Sequence, residues 1–284
     1  MHFRDNRPAA AATRGKRKVD CEARALSQNP GNGVHGLLLP VICFRTSAAV
    51  TQLDRRRLSA KESRAATMAG DRFLYERAFE DCLDRLHSLT GSPGRIAVVG
   101  YPSIEDTANR VANAESVQHL QLETLEPECA DAVIAVGVID HAEDPAMAAF
   151  VLRHSLRPGG RLIGAIIGIG SLTRMRRAFL DAERAGGRAA RRFHQLLDPS
   201  SLGAMLSGAG LRDVVIDVDG FDVRYSGLDH LVRDLRSMGC TNSLNGDMPP
   251  LPRAVYKDAR NLFSGGAERV EERFEILHFS GFAK

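Results

Sequence analysis

Hydrophobic positions along the chain follow two different spacings, which predict helices in some segments and buried strands in others. Between residues 53 and 89, apolar residues recur three, four and six positions apart with charges between them, a spacing that predicts helix. Three later segments, 95–100, 132–138 and 161–168, are short apolar runs. Runs of this kind are typical of parallel strands that are buried on both faces.

The segments around these runs predict how the strands are connected. Residues 144–156 have helical spacing, and the Pro-Gly-Gly sequence at 158–160 predicts a turn into the next strand. A strand, a helix, a turn and a strand in succession form a βαβ unit, so we expect a mostly parallel α/β sheet flanked by helices. Further along, residues 202–209 predict a short helix and residues 214–218 another strand.

The first 49 residues differ in composition from the rest of the chain. Residues 1–49 are rich in Ala, Arg, Gly, Pro and Asn and lack periodicity, so we expect a disordered or non-native extension there and one folded domain over residues 50–284. An over-extended reading frame, with the natural start near Val50, is one origin of such an extension. A transit peptide is the alternative, but glycines and Pro40 interrupt the amphipathic helix that it would need.

Charge and cysteine usage narrow the classes of partner and cofactor. The net charge of +3 comes from residues 1–49, which hold eight Lys and Arg against three Asp and Glu and leave the remainder at −2. The folded part is therefore not basic, which argues against a nucleic-acid partner. The five cysteines form no CxxC pair, and the histidines form no cluster at metal-ligand spacing, so we expect no metal site. No apolar run approaches the roughly 20 residues of a membrane helix, and we expect a cytoplasmic protein without a transmembrane segment.

The residues after the first apolar run are a candidate cofactor loop. A parallel sheet binds nucleotides beyond the carboxyl ends of its strands, where a glycine-rich turn lets the backbone approach the ligand. Here Gly100 is the one glycine at that place, and it is followed by bulky Tyr101 and by Pro102, which has no backbone N–H. A tight strand-to-helix turn and a cofactor loop both account for this sequence.

The middle of the chain resembles a known enzyme class. An acidic residue opens the run at Asp131, a histidine-containing turn follows at His141, and Leu-Arg-Pro-Gly-Gly leads into the next run at residues 156–160. This order and spacing resemble the central signature of class I S-adenosylmethionine-dependent methyltransferases. The resemblance implies a Rossmann-like α/β fold that binds S-adenosylmethionine.

The C-terminal third resembles one subgroup of that class. The segment 231–242, Leu-Val-Arg-Asp-Leu-Arg-Ser-Met-Gly-Cys-Thr-Asn, is similar to bacterial relatives of a mitochondrial complex I assembly factor. The biotin-pathway malonyl-carrier-protein methyltransferase is a more distant relative of that subgroup. With the apolar segment near residue 274 and Leu-Asp-Arg at residue 53, the resemblance spans residues 53–284.

The resemblance implies a cofactor site and also suggests that this site is incomplete. It implies that Gly100, Glu123, Gly137 and His141 bind S-adenosylmethionine, and it assigns no catalytic residue. Members of the class usually place a helix and two strands between the first and fourth strands, but residues 103–130 are few for that purpose. No acid stands clearly at the end of a second strand, where it would bind the ribose, so we expect cofactor binding to be weak or lost.

Three functions are compatible with these features. The first is a methyltransferase-like protein that acts on a protein or carrier-bound substrate. The second, implied by the subgroup, is a non-methylating respiratory complex I assembly factor or a protein-arginine hydroxylase, whose partner would be a respiratory-complex subunit. The third, a nucleic-acid modifier, is opposed by the charge. The arginines between residues 174 and 192 are either a solvated helix face or a docking surface for an acidic partner.

Overall fold

The computed structural model describes most of the chain beyond residue 54. The described residues are 55–68, 72–90, 94–101, 110–111, 116–187, 190, 192–241, 244 and 249–284. The predicted extension over residues 1–49 lies outside them, and so does most of the stretch that follows Tyr101.

Seven α-helices and six strands make up the described part. The helices are α1 Arg55–Thr67, α2 Phe73–Thr90, α3 Pro145–His154, α4 Thr173–Ala185, α5 Pro199–Gly208, α6 Leu228–Ser237 and α7 Arg253–Ser264. The strands are β1 Arg95–Gly100, β2 Ser116–Leu120, β3 Ala130–Val136, β4 Leu156–Ile167, β5 Leu211–Tyr225 and β6 Val270–Ala283. A short 3₁₀ helix, Leu122–Thr124, follows β2.

The strands form one sheet in the order β2-β1-β3-β4-β6-β5. Strands β2, β1, β3 and β4 are parallel, whereas β6 is antiparallel to both β4 and β5. This arrangement confirms the predicted mostly parallel α/β sheet and its Rossmann-like character. Because parallel strands share a direction, the ends of β1, β3 and β4 meet at one edge, which is where such sheets bind ligands.

Helices cover both faces of the sheet and bury two hydrophobic cores. On one face, Leu74 and Phe79 of α2 and Leu231 of α6 pack in a cluster that also includes Ile134 and Ile276 of the sheet. The other cluster packs α3 and α5 against alternate residues of the same strands; its members include Leu152, Leu202, Leu206, Val133 and Leu277. The period-two alternation of each strand therefore decides which core a side chain joins.

The observed elements correct several sequence-based boundaries. The helical pattern over 53–89 corresponds to two helices rather than one. The predicted turn at 158–160 lies inside β4, where the register with β3 shifts as Gly159 takes a φ of +77°. The predicted strand at 214–218 is part of the 15-residue β5.

Only residues 110–111 and 116–130 of the stretch 103–130 are described. Within them, β2 pairs with β1, and residues 122–124 form the 3₁₀ helix instead of a further strand. Among the described helices, none is long and apolar enough to cross a membrane.

Candidate functional site

Gly100 closes β1 at the ligand-binding edge of the sheet. Its φ is +85°, and a Cβ atom there would lie 2.2 Å from the carbonyl oxygen of Val136 on β3. The backbone N–H of Tyr101 donates to the same oxygen at 3.1 Å. The close approach of β1 to β3 at this point therefore requires glycine at position 100, whether or not a ligand binds there.

Gly137 follows β3 and lies beneath an aromatic ring of α2. Its φ is +67°, and a Cβ atom would lie 2.9 Å from Cε1 of Tyr75. The Tyr75 ring is buried and stacks on the Tyr101 ring with 5.5 Å between centroids. His141 meets the Tyr75 ring edge-on at 6.4 Å. The two stacked tyrosines thus lie beside Gly137, one of the four residues that were predicted to bind the cofactor.

A charged network holds Tyr101 in this position. Its hydroxyl donates to Oε1 of Glu76, and Nη1 of Arg110 lies 2.7 Å from Oε2 of the same carboxylate. The Arg110 guanidinium also lies over the ring of Phe79, 4.9 Å from its centroid. Burial, followed by the hydrogen bond to Glu76, raises the pKa of Tyr101, so the phenol stays protonated and remains a donor.

Glu123, which was also predicted to bind the cofactor, has a different setting. It lies in the exposed 3₁₀ helix beyond the end of β2, where its neighbours Leu122 and Leu125 pack against the second core. The residue of β2 that contacts the edge at Gly100 is His119, whose Nε2 lies 2.9 Å from the Gly100 carbonyl oxygen. The sequence did not point to His119, because its strand is short and contains few apolar residues.

A cavity of about 310 Å³ opens beyond the ends of β3 and β4. Its walls are mainly apolar side chains of α2, α4, α6 and β6, among them Leu74, Leu172, Met175, Phe179, Val232, Leu235 and Phe274. Its polar lining consists of Asp140, His141, Arg176, Arg192, His194, Cys240 and Thr241. An apolar chamber with a few converging polar groups is typical of a small-molecule or side-chain site.

Asp140 is the acid at the floor of this cavity. Its Oδ2 accepts from the backbone N–H of Ile167 at 3.3 Å. Its Oδ1 is buried and has no hydrogen-bond partner among the described residues. A buried carboxylate oxygen without a donor is costly, so this atom is suited to a ligand that carries an N–H or O–H group.

The end of α6 places Cys240 and Thr241 against the cavity. Leu231 and Leu235 are buried in the core, and Gly239, with a φ of +74°, follows the end of the helix. The Cys240 Sγ lies 3.1 Å from the Tyr75 hydroxyl, which links the cavity wall to the aromatic pair. Burial raises the pKa of Cys240 to about 12, so this thiol is not a nucleophile at neutral pH.

The arginine run after β4 is not a single solvated face. Arg174 donates from Nε to the carbonyl oxygen of Phe263 at 2.7 Å. Arg192 forms a nearly buried ion pair with Glu183, 2.7 Å between Nε and Oε1. Arg177 by contrast is 84% exposed and lies 3.5 Å from Asp181 one turn along. Two other members of the run, at 188 and 191, lie outside the described residues.

Curated proteins with sequence similarity to this chain include an arginine hydroxylase and a carrier-protein methyltransferase. No family model matches the chain. The rat mitochondrial arginine-hydroxylase NDUFAF5 is 28% identical over 144 residues, which is 46% of this chain and 40% of that protein. The malonyl-[acyl-carrier protein] O-methyltransferase of Xylella fastidiosa is 34% identical over 139 residues, 46% of this chain and 44% of that protein. The chain is class I methyltransferase-like. Each match spans less than half of the relative's length.

A solved structure with a similar chain path is the N-methyltransferase NodS from Bradyrhizobium japonicum, determined with S-adenosyl-L-homocysteine. It is 12% identical, has a TM-score of 0.40, and the match covers 80% of this chain and 98% of that one. The α/β fold of this chain is established by its own strand order and by the helices on both faces of its sheet.

Proposed function

We propose that this methyltransferase-like chain binds S-adenosylmethionine weakly at the edge formed by Gly100 and Gly137, and receives a protein or carrier-bound substrate in the adjoining cavity. The similarity to a carrier-protein O-methyltransferase supports the substrate class. The nearness of His141 and Asp140 to both regions supports a shared site, because both residues line the cavity and His141 also contacts Tyr75.

The contact of the Tyr75 ring with Gly137 supports the weak-binding part of the proposal most directly. A cofactor that approached the Gly137 backbone would have to displace the Tyr75 ring. This ring is stacked on Tyr101, and its hydroxyl is within hydrogen-bond distance of the Cys240 thiol. As arranged, these residues fit the cofactor poorly. A missing charged hydrogen bond to the ribose adds roughly 1.5–3 kcal/mol to that deficit, which is one to two factors of ten in affinity.

Calorimetric titration with S-adenosylmethionine tests this proposal. We expect the wild-type chain to bind in the high micromolar range or more weakly, and Gly100→Val to remove the remaining heat. Gly187→Val is the matched control, because Gly187 also has a positive φ but a Cβ there meets nothing within 4 Å. Low-micromolar affinity of the wild type, abolished by Gly100→Val alone, would contradict weak binding and favour an intact enzyme site.

A second candidate function is recognition of an arginine side chain on a protein partner, as the name of the arginine-hydroxylase relatives suggests. The buried Oδ1 of Asp140 favours it, because a guanidinium would supply the missing donor in a bidentate geometry. An acidic, carrier-bound substrate would instead pair with Arg176, which also lines the cavity. Charge therefore separates the two candidates.

Binding of small probes distinguishes these functions. For arginine recognition, N-acetyl-arginine amide should bind, the neutral citrulline analogue should not, and Asp140→Asn should abolish the difference. For an acidic substrate, a malonyl thioester should bind and Arg176→Gln should weaken it. Asp229→Asn on α6 is a matched control, since Asp229 pairs with Tyr256 and Arg260 away from the cavity. Equal binding of arginine and citrulline probes would overturn the second candidate.

A further inference from the structure

A buried histidine and two aspartates converge between α2 and the outer strands, away from the cavity. His278 on β6 is 1% exposed, Asp219 is on β5 and Asp81 is on α2. The potential ligand atoms of these three side chains all lie within 4.8 Å of one another. The sequence spacing gave no sign of this cluster, because its members are brought together from three elements.

The imidazole of His278 lacks the partners that a buried ring requires. Neither Nδ1 nor Nε2 makes a hydrogen bond within the described part of the chain. Buried polar side-chain atoms are satisfied in the large majority of cases, so an imidazole with both nitrogens unpaired indicates a missing partner.

The distance between His278 and Asp81 indicates what this partner is. Nε2 lies 3.2 Å from Oδ2 of Asp81, although the two atoms are not aligned for a hydrogen bond. Two ligands of a tetrahedral zinc ion, each about 2.0–2.2 Å from the metal, are roughly 3.3–3.5 Å apart. The pair therefore has nearly the separation of two ligands on one ion.

We infer that His278, Asp81 and Asp219 bind a divalent transition-metal ion of the zinc type, which ties α2 to β5 and β6. One nitrogen and two carboxylate oxygens are an accepted donor set for such an ion, with water in the fourth position on the side where Asp81 is exposed. Arg77 donates to both oxygens of Asp219, at 2.7 Å to Oδ2 and 3.3 Å to Oδ1, and would orient that ligand from outside, since each carboxylate oxygen keeps a second lone pair.

The local charge permits a divalent cation. Arg77 pairs with Asp219, and Arg85 pairs with Asp217, the residue directly opposite His278 in the sheet. Asp81 contributes one further negative charge, which neither arginine takes up in a described ion pair. The ion would thus meet one carboxylate that is not paired with either arginine, together with the His278 imidazole.

Metal titration of the full chain tests the site. After treatment with a chelator, the wild type should bind one Zn²⁺ and melt at a higher temperature with the metal than without it. Co²⁺ should give the visible absorption bands of a tetrahedral site. Asp81→Asn keeps the shape of a partly exposed side chain and should weaken binding at least about tenfold. His278→Gln should have the same effect if it folds.

The controls separate this site from other metal-binding groups. Asp84→Asn changes an exposed acid on the same helix, and His154→Gln changes an exposed histidine on α3, so both variants should bind like the wild type. Zinc affinity and cobalt bands that are unchanged in Asp81→Asn would overturn the inference. Failure of the chelated wild type to bind either metal at millimolar concentration would also overturn it.

Discussion

The glycines at the edge of the sheet are required by different neighbours. Gly100 makes room for the Val136 carbonyl oxygen, which is a contact within the sheet, whereas Gly137 makes room for the Tyr75 ring. The first requirement concerns the backbone and would exist wherever two neighbouring strands approach this closely. The second is specific to this chain's aromatic pair, so it can be measured by substitution.

Gly137→Ala should lower the free energy of unfolding by roughly 2–5 kcal/mol. The added methyl group combines the cost of a left-handed backbone, about 1–2 kcal/mol, with overpacking against Tyr75, about 1–3 kcal/mol. Gly187→Ala has a similar positive φ in open space and should show the backbone cost alone. Urea denaturation measures both variants. Equal losses would mean that Tyr75 does not press on Gly137.

Cys240 should be among the slowest cysteines of the chain to react. With its pKa raised to about 12 by burial, roughly one thiol in ten thousand is ionised at about pH 8. Peptide-resolved mass spectrometry after brief exposure to iodoacetamide should find Cys240 unmodified while Cys129, a residue of the same intermediate exposure, is alkylated. Alkylation of Cys240 as fast as Cys129 would show that the cavity wall opens readily.

At the scale of elements, helix α4 is capped by a residue far away in the sequence. Leu172 precedes the helix with a φ of +57° and provides no side-chain cap. The buried carboxylate of Glu272 on β6 accepts instead from the backbone N–H groups of Arg174, at 3.1 Å, and Met175, at 2.7 Å. This bond joins the helix that forms one wall of the cavity to the sheet.

The contribution of Glu272 to stability should decrease as the pH rises. Burial raises the pKa of this carboxyl above its ordinary value of 4.5, so its contribution is complete below that value and is lost as the pH passes the higher folded-state pKa. Relative to Glu272→Gln, the wild type should therefore lose stability as the pH rises from about 4.5 through the higher pKa of the folded state. Thermal denaturation across this range checks the sign. A wild-type advantage that grows with pH would mean that the helix cap outweighs burial.

Sequence patterns predicted those elements whose cause is local. The apolar runs of β1 and β3 and the glycine at the end of α6 are visible in a few adjacent residues. Only residues 214–218 of the 15-residue β5 were predicted as a strand, because an edge strand with exposed side chains lacks a continuous apolar pattern. At the site, Gly100 and Gly137 stood out by residue type, but Tyr75 did not, since an aromatic residue in a helix pattern is equally typical of a core.

At the scale of the whole molecule, the fold rests on the described sheet and its two layers of helices. Among the described residues, the two hydrophobic cores extend from Leu74 on α2 to Ala283 on β6. The sequence of residues 1–49 lacks the periodicity of a core-forming segment. We therefore expect the domain to fold without them.

A chain beginning at Val50 should melt within about 2 °C of the full chain, because a difference of 1 kcal/mol would already shift a domain of this size by about 2–4 °C. Differential scanning calorimetry of the two chains makes the comparison. A loss of several degrees, or insolubility of the shorter chain, would show that residues 1–49 belong to the folded unit.

The most direct test of weak cofactor binding is the affinity of Tyr101→Ala for S-adenosylmethionine relative to the wild type. If the aromatic pair competes with the cofactor, removal of the Tyr101 ring should tighten binding at least about fivefold, or about 1 kcal/mol. Tyr256→Ala is the matched control, because Tyr256 is also a partly buried tyrosine whose hydroxyl donates to a carboxylate, that of Asp229. It should bind as the wild type does. Weaker binding by Tyr101→Ala than by the wild type would contradict the account, since the ring would then support the cofactor.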